Sequence, residues 1–505
     1  MRNAGLGSWL RRRERLSPDA VAVVDGDRRL TFAELADRAN RVANILRDAG
    51  VTRGDRVAFL GRNSPAFLEV LVGATSLGAI FVPLNWRLAT PELVVILSDA
   101  GARVLVRDAD LGADLADRGD VDLDLVVVGG TDTDYERRLA AAPADWVDVT
   151  VALDDPAMIL YTSGTTGRPK GATLSHGNVT WNCVNVLIDT NLASDEVALV
   201  CAPMFHVAAL NMVAMPSLLT GGTIVFMGRF DPGAALELIR RHRVTVMFGV
   251  PAMFNALSQH PDWDDADLSS MRRALCGGAP VPRTTIRMWL DRDVVFLQGY
   301  GMTETSPGAL FLGPDRAVDK AGTAGVASFF TDVEVRRDDG TPVAAGEPGE
   351  VVVSGPNVML GYWQQPDATA DVIRDGWFHS GDVAVVDDDG YVTIVDRLKD
   401  MYISGGENVY PAEVEDALFT HDDVAECAVI GVPDERWGEV GLALVIPRPG
   451  AAPTADELRA HLQGRLARYK VPAAFRFVDE LPRTGAGKLR KTELRKCYGG
   501  PIDDG

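Results

Sequence analysis

Residues Tyr161–Gly171 read YTSGTTGRPKG, directly after the apolar run Ala157–Leu160. Thr162, Ser163, Thr165 and Thr166 bring aliphatic hydroxyls, Gly164, Gly167 and Gly171 bring backbone freedom, and Lys170 brings an ammonium. Glycines allow close backbone approach and positive φ. Successive N–H groups then form a concave anion site, to which hydroxyls add donors and the lysine a full charge. The set suits a polyphosphate. It is not the common P-loop, which places Gly-Lys-Ser/Thr after four spacers; here Lys170 follows Pro169 and precedes Gly171. The competing reading is a flexible surface turn, which needs none of these groups.

Other short stretches carry reactive groups, each with a bland alternative. QGYGMTET (298–305) sets Thr303 and Glu304 after a strand, whereas an isolated Thr-Glu pair is more often a helix start. Asp382 ends WFHSGD, and Gly-Asp is common in turns. His206 in APMFHVAAL is either a base or a satisfied core histidine. Lys488 lies between Gly487 and Leu489 in TGAGKLRK, on a loop that glycines at 485 and 487 would loosen. Its bland reading is one more basic residue in a solvated tail.

These residues need a scaffold, and the pattern of the chain supplies one. Thr31 with Glu34 forms a capping box, and Phe32, Leu35, Ala36, Ala39, Val42, Ala43 and Leu46 follow at helical spacing up to Gly50. Apolar strand-like runs (DRVAFLG, GARVLVRD, LDLVVVGG, GTIVFMG, VTVMFG, DVVFLQG) alternate with helical stretches. That rhythm predicts α/β layering with largely parallel sheets. Near residue 322 it changes. VEVRRDDGTPV and VAVVDDDGYVTIV read as hairpins around Asp-Gly turns, and predict a small β-barrel-like subdomain. After DRLKD (396–400) the pattern is mixed again, with helices at PAEVEDAL and TADELRAHLQGRL and strands at ECAVIGV and GLALVIP.

At 505 residues two or more domains are expected. The composition, 47% hydrophobic and 24% charged, is that of a soluble globular protein. A net charge of -21 argues against broad binding of nucleic acid or anionic membranes. RRHR (Arg240–Arg243) reads as solvated helix surface. Cysteines 183, 201, 276, 427 and 497 form no CxxC pair, so neither a zinc ribbon nor a disulfide framework is indicated, and the thiols suggest a reducing compartment. Arg11, Arg12 and Arg13 precede no apolar stretch, so no signal peptide is read. The apolar run Phe67–Leu84 is broken by Glu69, Ser76 and two glycines; it reads as a core helix and a strand rather than a membrane span. A cytoplasmic location follows as the expectation.

YTSGTTGRPKG resembles the signature loop of the adenylate-forming superfamily, which includes acyl-CoA synthetases, aryl-CoA ligases, nonribosomal-peptide adenylation domains and firefly luciferase. APMFHVAAL (202–210), GGAP (277–280), QGYGMTET, WFHSGD (377–382), DRLKDMYISGGENVYPAEVE (396–415) and PRTGAGKLRK (482–491) follow in the family's order and span nearly the whole chain. The likeness is strongest to the acyl-CoA synthetase branch, in particular to compact bacterial fatty-acyl-CoA and aryl-CoA synthetases. It implies an N-terminal adenylation domain over 1–396 with a β-rich subdomain at 322–395, a hinge at 397–400, and a small mobile α+β C-terminal domain over 401–505.

The resemblance implies a two-step reaction with ATP, Mg²⁺ and coenzyme A. A carboxylate attacks the α-phosphorus of ATP to give acyl-AMP and pyrophosphate, and a thiol then displaces AMP. No general base is needed, because a carboxylic acid with a pKa of about 4–5 is already ionised. In this reading Thr162, Ser163, Gly164, Thr165, Thr166, Gly167 and Lys170 grip the β- and γ-phosphates. Thr303 contacts the α-phosphate, and Glu304 with Thr166 holds Mg²⁺. Tyr300 and the backbone of Gly278, Ala279 and Pro280 line the adenine, with Gln298, Gly299, Gly301 and Met302 in the same wall. Asp382 and Arg397 hold the ribose, Asp382 by accepting from both hydroxyls of the diol. Lys488 brings its charge between carboxylate and α-phosphate. Lys399 is the hinge for a rotation of the C-terminal domain between the half-reactions. After rotation Ser404, Gly405, Gly406 and Glu407 would line the pantetheine tunnel. Trp437 either contacts CoA or packs in a core. His206 lines the site near the carboxylate.

The acyl pocket implied by the family comprises Phe205, Val207, Ala208, Ala209, Asn211, Met212, Phe248, Val250, Cys276, Gly277, Met302 and Gly308. It is mostly apolar and holds no lysine or arginine, so a second carboxylate would go unpaired. A neutral alkyl or aryl tail is expected, with Asn211 a hydrogen-bonding group for a ring substituent. Two departures stand out: His379-Ser380 where many relatives have Arg-Thr or Lys-Thr, and Tyr402 in place of a frequent isoleucine. The alternatives are transfer of the acyl group to a carrier-protein thiol, an amine or another nucleophile, a luciferase-like oxygenase, and a catalytically silent scaffold. A monomer and a homodimer both remain open.

Overall fold

The computed structural model describes residues 2–115, 124–128, 134–162, 169–278, 281, 283–397, 400–404, 407–434, 437–463, 465–466, 468–483 and 489–500. The chain divides into two compact units, Met1–Val333 with Val353–Phe378, and Glu334–Val352 with His379–Gly505.

The first unit holds two mostly parallel sheets, as the alternating apolar runs predict. In the larger, Val21–Asp25, Thr223–Phe226, Val197–Val200, Val246–Gly249, Arg273–Gly277 and Val295–Gly301 run parallel in that order. Gly308–Phe311 returns antiparallel beside Val295–Gly301. In the smaller, Asp124–Val128, Ala102–Asp108, Arg56–Leu60, Ile80–Pro83 and Pro156–Thr162 are parallel. Lys170–Ser175 and then Gly361–Tyr362 extend that sheet antiparallel.

The capping box at Thr31 and Glu34 is formed, and opens the helix Phe32–Asp48. The helix Pro65–Ser76 is buried at every position, which explains its all-round apolar composition. Glu69 lies inside it with no exposed surface. Burial of that charge is tolerable because Arg38 donates to both carboxylate oxygens, at 2.6 and 3.1 Å, and the Tyr135 hydroxyl donates as well. Among the described residues no helix is long and apolar enough to cross a membrane.

In the second unit Tyr402–Ser404 and Glu407–Val409 form a hairpin beside Gly438–Pro447, which also pairs with Val424–Asp434 and Ala474–Phe477. The helix expected over TADELRAHLQGRL stops at Leu462, because Gln463 turns extended and bridges to Leu466. Trp377–Val386 and Val392–Arg397 make the expected hairpin; Asp387 accepts from the backbone of Asp389 and Tyr391 to close its turn.

Tyr402 is buried, and neighbouring strands make room for its ring. A Cβ at Gly431 would overlap the Tyr402 Cβ, and one at Gly441 would overlap its hydroxyl. That hydroxyl is buried with no hydrogen-bond partner among the described residues, and burial pushes the phenol's pKa up. An unpartnered buried hydroxyl costs about 1–3 kcal/mol. Tyr402→Phe is therefore expected to stabilise the second unit by about 1 kcal/mol. Denaturant unfolding checks this; a variant no more stable than the parent would show that the hydroxyl is satisfied.

Candidate active site

The two ends of the glycine-rich stretch are pinned as a hairpin. Thr162 pairs with Lys170 across the strands, and the Thr162 hydroxyl donates to the Lys170 carbonyl at 3.4 Å. Tyr161 donates to Asp99 at 2.6 Å, and burial followed by that carboxylate pushes its phenol up. Ser163, Gly164, Thr165, Thr166 and Gly167 lie outside the described residues.

QGYGMTET sits at the carboxyl end of its strand, where parallel sheets bind ligands. Gln298 and Gly299 stand opposite Cys276 and Gly277 on the adjacent strand, and Gly278 follows with φ 87°. Ala279 and Pro280 are not among the described residues. After Tyr300, Gly301 and Met302, a short 3₁₀ turn carries Thr303 and Glu304, both half-buried. Ser306 reverses the chain at φ 71°. The turn is cross-braced: Met302 N and the Thr305 hydroxyl both donate to the Pro307 carbonyl, at 3.0 and 2.5 Å.

A segment that was not singled out in the sequence, Asn357–Trp363, joins this turn to the strand after the glycine-rich stretch. Asn357 Nδ2 donates to the carbonyls of Thr305 and Gly308 at 3.0 and 2.6 Å. Met359 N donates to the Glu304 carbonyl at 2.8 Å. Leu360 N and Trp363 N donate to Thr173 and Gly171 on the other side. The Tyr362 hydroxyl donates to Glu304 Oε1 at 2.8 Å, and Lys170 Nζ lies 4.9 Å from the centre of the Tyr362 ring. Burial, then the Glu304 carboxylate, pushes the Tyr362 phenol up and keeps it a neutral donor.

The helix His176–Thr190 supplies a second brace. Its Asn178, Asn182 and Asn185 are spaced at i, i+4 and i+7 and all point inward. Asn178 donates to the carbonyls of Pro356 and Val358. Asn182 accepts from Gly308 N at 3.0 Å and donates to the Asn211 carbonyl at 2.9 Å. Asn185 accepts from Phe330 N and donates to Thr331, whose hydroxyl donates to Asn357.

Of the proposed acyl-pocket residues, Phe205, Val207, Ala209, Asn211, Met212, Phe248, Cys276 and Gly277 are buried, while Ala208, Val250, Met302 and Gly308 are half-buried. Asn211, on the π-helical turn Leu210–Ala214, donates to the Ser306 carbonyl at 3.1 Å. Its amide therefore ties the turn Leu210–Ala214 to the residue that follows the Thr303–Thr305 turn. His206 precedes the helical turn Val207–Ala209, its ring 4.5 Å from that of Phe205.

In the second unit Asp382 is buried and stands in register with Arg397. The unusual His379-Ser380 pair is built into its turn: His379 Nδ1 lies 2.8 Å from Glu350, Ser380 donates to the Val351 carbonyl, and Asp382 N donates to Ser380. Glu350 also accepts from Gly381 N. Ser404 is buried opposite Gly438. Trp437 is 48% exposed, which removes the core-packing alternative for its side chain. Lys399, Gly405, Gly406 and Lys488, together with the side chain of Glu407, lie outside the described residues. The ends of the Lys488 segment are described: Arg483 and Leu489 bridge antiparallel, and Arg490 N donates to the Pro482 carbonyl.

The model of the AMP-binding enzyme family matches residues 10–363, and that of the AMP-binding enzyme C-terminal domain matches residues 413–488. The chain belongs to this adenylate-forming family. A feruloyl-CoA synthase of Amycolatopsis sp is 56% identical to this AMP-binding enzyme over 499 residues, covering 99% of the chain and 100% of the relative. A long-chain-fatty-acid–CoA ligase of Mycobacterium tuberculosis is 40% identical over 505 residues, covering 98% and 99%. The crystal structure of ATP-bound MatB from Rhodopseudomonas palustris superposes with a TM-score of 0.92 at 34% identity, covering 98% of this enzyme and 99% of that chain.

Proposed function

We propose that this enzyme is an AMP-forming acid:CoA ligase that activates an apolar monocarboxylic acid, of aryl rather than fatty type. The carboxylate oxygen bonds to the α-phosphorus of ATP as pyrophosphate leaves. The thiol of coenzyme A then bonds to the acyl carbon as AMP leaves. The observation that carries the reading is the bracing of the Thr303–Glu304 turn and the Lys170 strand by one segment, Asn357–Trp363. That arrangement holds a hydroxyl, a carboxylate and a cation ready for a polyphosphate, and the reaction of two anions depends chiefly on alignment and charge neutralisation.

Lys170 and the loop before it take the β- and γ-phosphates, Thr303 the α-phosphate, and Asp382 with Arg397 the ribose. Glu304, a half-buried carboxylate with hard oxygen donors, suits Mg²⁺, which would be held by it and Thr166 and would offset phosphate charge. Lys488 supplies charge for adenylation, Lys399 the pivot between half-reactions, and Ser404 to Glu407 with Trp437 the thiol side. The aryl reading is supported by the 56% identity to a feruloyl-CoA synthase against 40% to a fatty-acid ligase; the apolar residues Phe205, Val207 and Phe248 suit a neutral tail of either kind.

Pyrophosphate release with Mg-ATP across cinnamic, benzoic and fatty acids, each with and without CoA, tests this. Release with cinnamic acids and CoA-dependent thioester formation is expected. Release without a thioester would leave adenylation standing and remove CoA as acceptor; faster turnover of fatty acids would remove the aryl assignment.

A further inference from the structure

We propose that Tyr362 is a positioning residue that sets Glu304 and Lys170 together, so that the metal dependence of nucleotide binding runs through its phenol. The proposal rests on the reading of Glu304 as a metal-holding carboxylate and Lys170 as a phosphate-binding cation.

The geometry comes from strand register. Tyr362 stands opposite Ala172 on the antiparallel strand Lys170–Ser175. Lys170 lies two residues before Ala172, so it shares that face and is the diagonal neighbour of Tyr362. Its ammonium lies 4.9 Å from the ring centre, within cation–π range. Among the described residues Lys170 makes no ion pair, so the ring is its one defined electrostatic neighbour there. The far end of the same side chain donates to Glu304 Oε1 at 2.8 Å. Among the described residues no donor reaches Oε2, which leaves that oxygen for a ligand. One rigid side chain thus fixes a cation by its face and a carboxylate by its hydroxyl.

The two functions are separable by substitution. The backbone of the turn is held independently, by Met359 N on the Glu304 carbonyl and by Asn357 on the Thr305 carbonyl. Tyr362→Phe keeps the ring over Lys170 and removes only the hold on Glu304. Tyr362→Leu removes both. Hydrogen-bond partners of metal-binding carboxylates typically change metal affinity by about 10- to 100-fold when lost.

The test is calorimetric titration of ATP into the full chain, first in chelator and then at increasing Mg²⁺, with no acid present. Tyr362→Phe is expected to bind ATP in chelator within about twofold of the parent, yet to need about 10- to 100-fold more Mg²⁺ for half-maximal tightening. Tyr362→Leu is expected to lose affinity in chelator as well. In turnover assays the phenylalanine variant should regain the parent kcat at saturating Mg²⁺. A parent-like Mg²⁺ midpoint in Tyr362→Phe overturns the proposal. So does an equal loss with and without the cation, which marks a merely structural role. Glu304→Gln separates the two levels. If it abolishes the Mg²⁺ effect while Tyr362→Phe leaves it intact, Glu304 keeps its role and only Tyr362 loses its own. If the parent shows no Mg²⁺ effect, the role of Glu304 falls and the proposal with it.

Discussion

Lys488→Ala will slow acid-dependent adenylate formation by about 10²-fold or more, the size of effect seen when one preorganised charge is removed from a developing anionic centre. Thioester formation from supplied acyl-AMP should be nearly unchanged, since the bond made in that step is to the acyl carbon and not between a carboxylate and the charged α-phosphate. Lys491, in the same basic stretch, is the control. Lys491 is already engaged, 2.8 Å from Glu415, with both side chains about 11–12% exposed. Glu415 also accepts from Val429 N at 2.7 Å. Lys491→Ala would take the cation away from that largely buried carboxylate and is expected to lower stability by a few kcal/mol (about 3–5 for a fully buried pair), with no preference between half-reactions. Arg483 and Leu489, which flank residues 484–488 in the sequence, bridge antiparallel. Separate assays of pyrophosphate exchange and of thioester formation check the division; equal losses in both steps for Lys488→Ala would refute it.

Much of the scaffold was legible because local physics dictates it. The capping box at Thr31 and Glu34 formed where its two residues stand, and the buried parallel strands announce themselves as unbroken apolar runs. The glycine-rich stretch stands out in the sequence as a candidate because few structures need such a mixture of hydroxyls, glycines and a lysine. The braces do not. Asn357 and Tyr362 act on Thr305, Glu304 and Lys170 across 52 to nearly 200 residues of chain, and register between distant segments leaves no local trace. Their strand is two residues long, Gly361–Tyr362, too short for any periodicity. The asparagines at 178, 182 and 185 do lie at helical spacing, but a polar stripe reads as a solvated face; here it is the buried one, because each amide answers a backbone group. Glu350 leaves no local signal for the same reason as Tyr362: its partners Gly381 and His379 are 29 or more residues away. Trp437 shows the opposite limit, since its sequence context fits a core and a ligand contact equally well, and only its exposure decides against the core.

The turn itself gives the second large expectation. Gly301→Ala should reduce adenylation by about 10²-fold or more, the size of loss that a misplacement of about 1 Å produces. The conformation at Gly301 is not one that demands glycine; the constraint is crowding. A Cβ there would fall inside the carbonyl oxygen of Pro307 and 2.7 Å from its carbon. That carbonyl has no freedom to retreat, because Met302 N and the Thr305 hydroxyl both hold it, and Gly301 and Gly308 are paired across the strands. A methyl group must therefore open the hairpin at the point from which Thr303 and Glu304 project. The rest of the sheet does not pass through this contact, so the fold should persist while the site fails. Gly313→Ala is the matched control, with nothing within 4 Å of its Cβ and φ −67°. The pair separates crowding from loss of glycine flexibility: activity in Gly301→Ala within about threefold of the control, well short of the 10²-fold expected from displacement, would mean that the turn relaxes and that its bracing does not set the catalytic geometry.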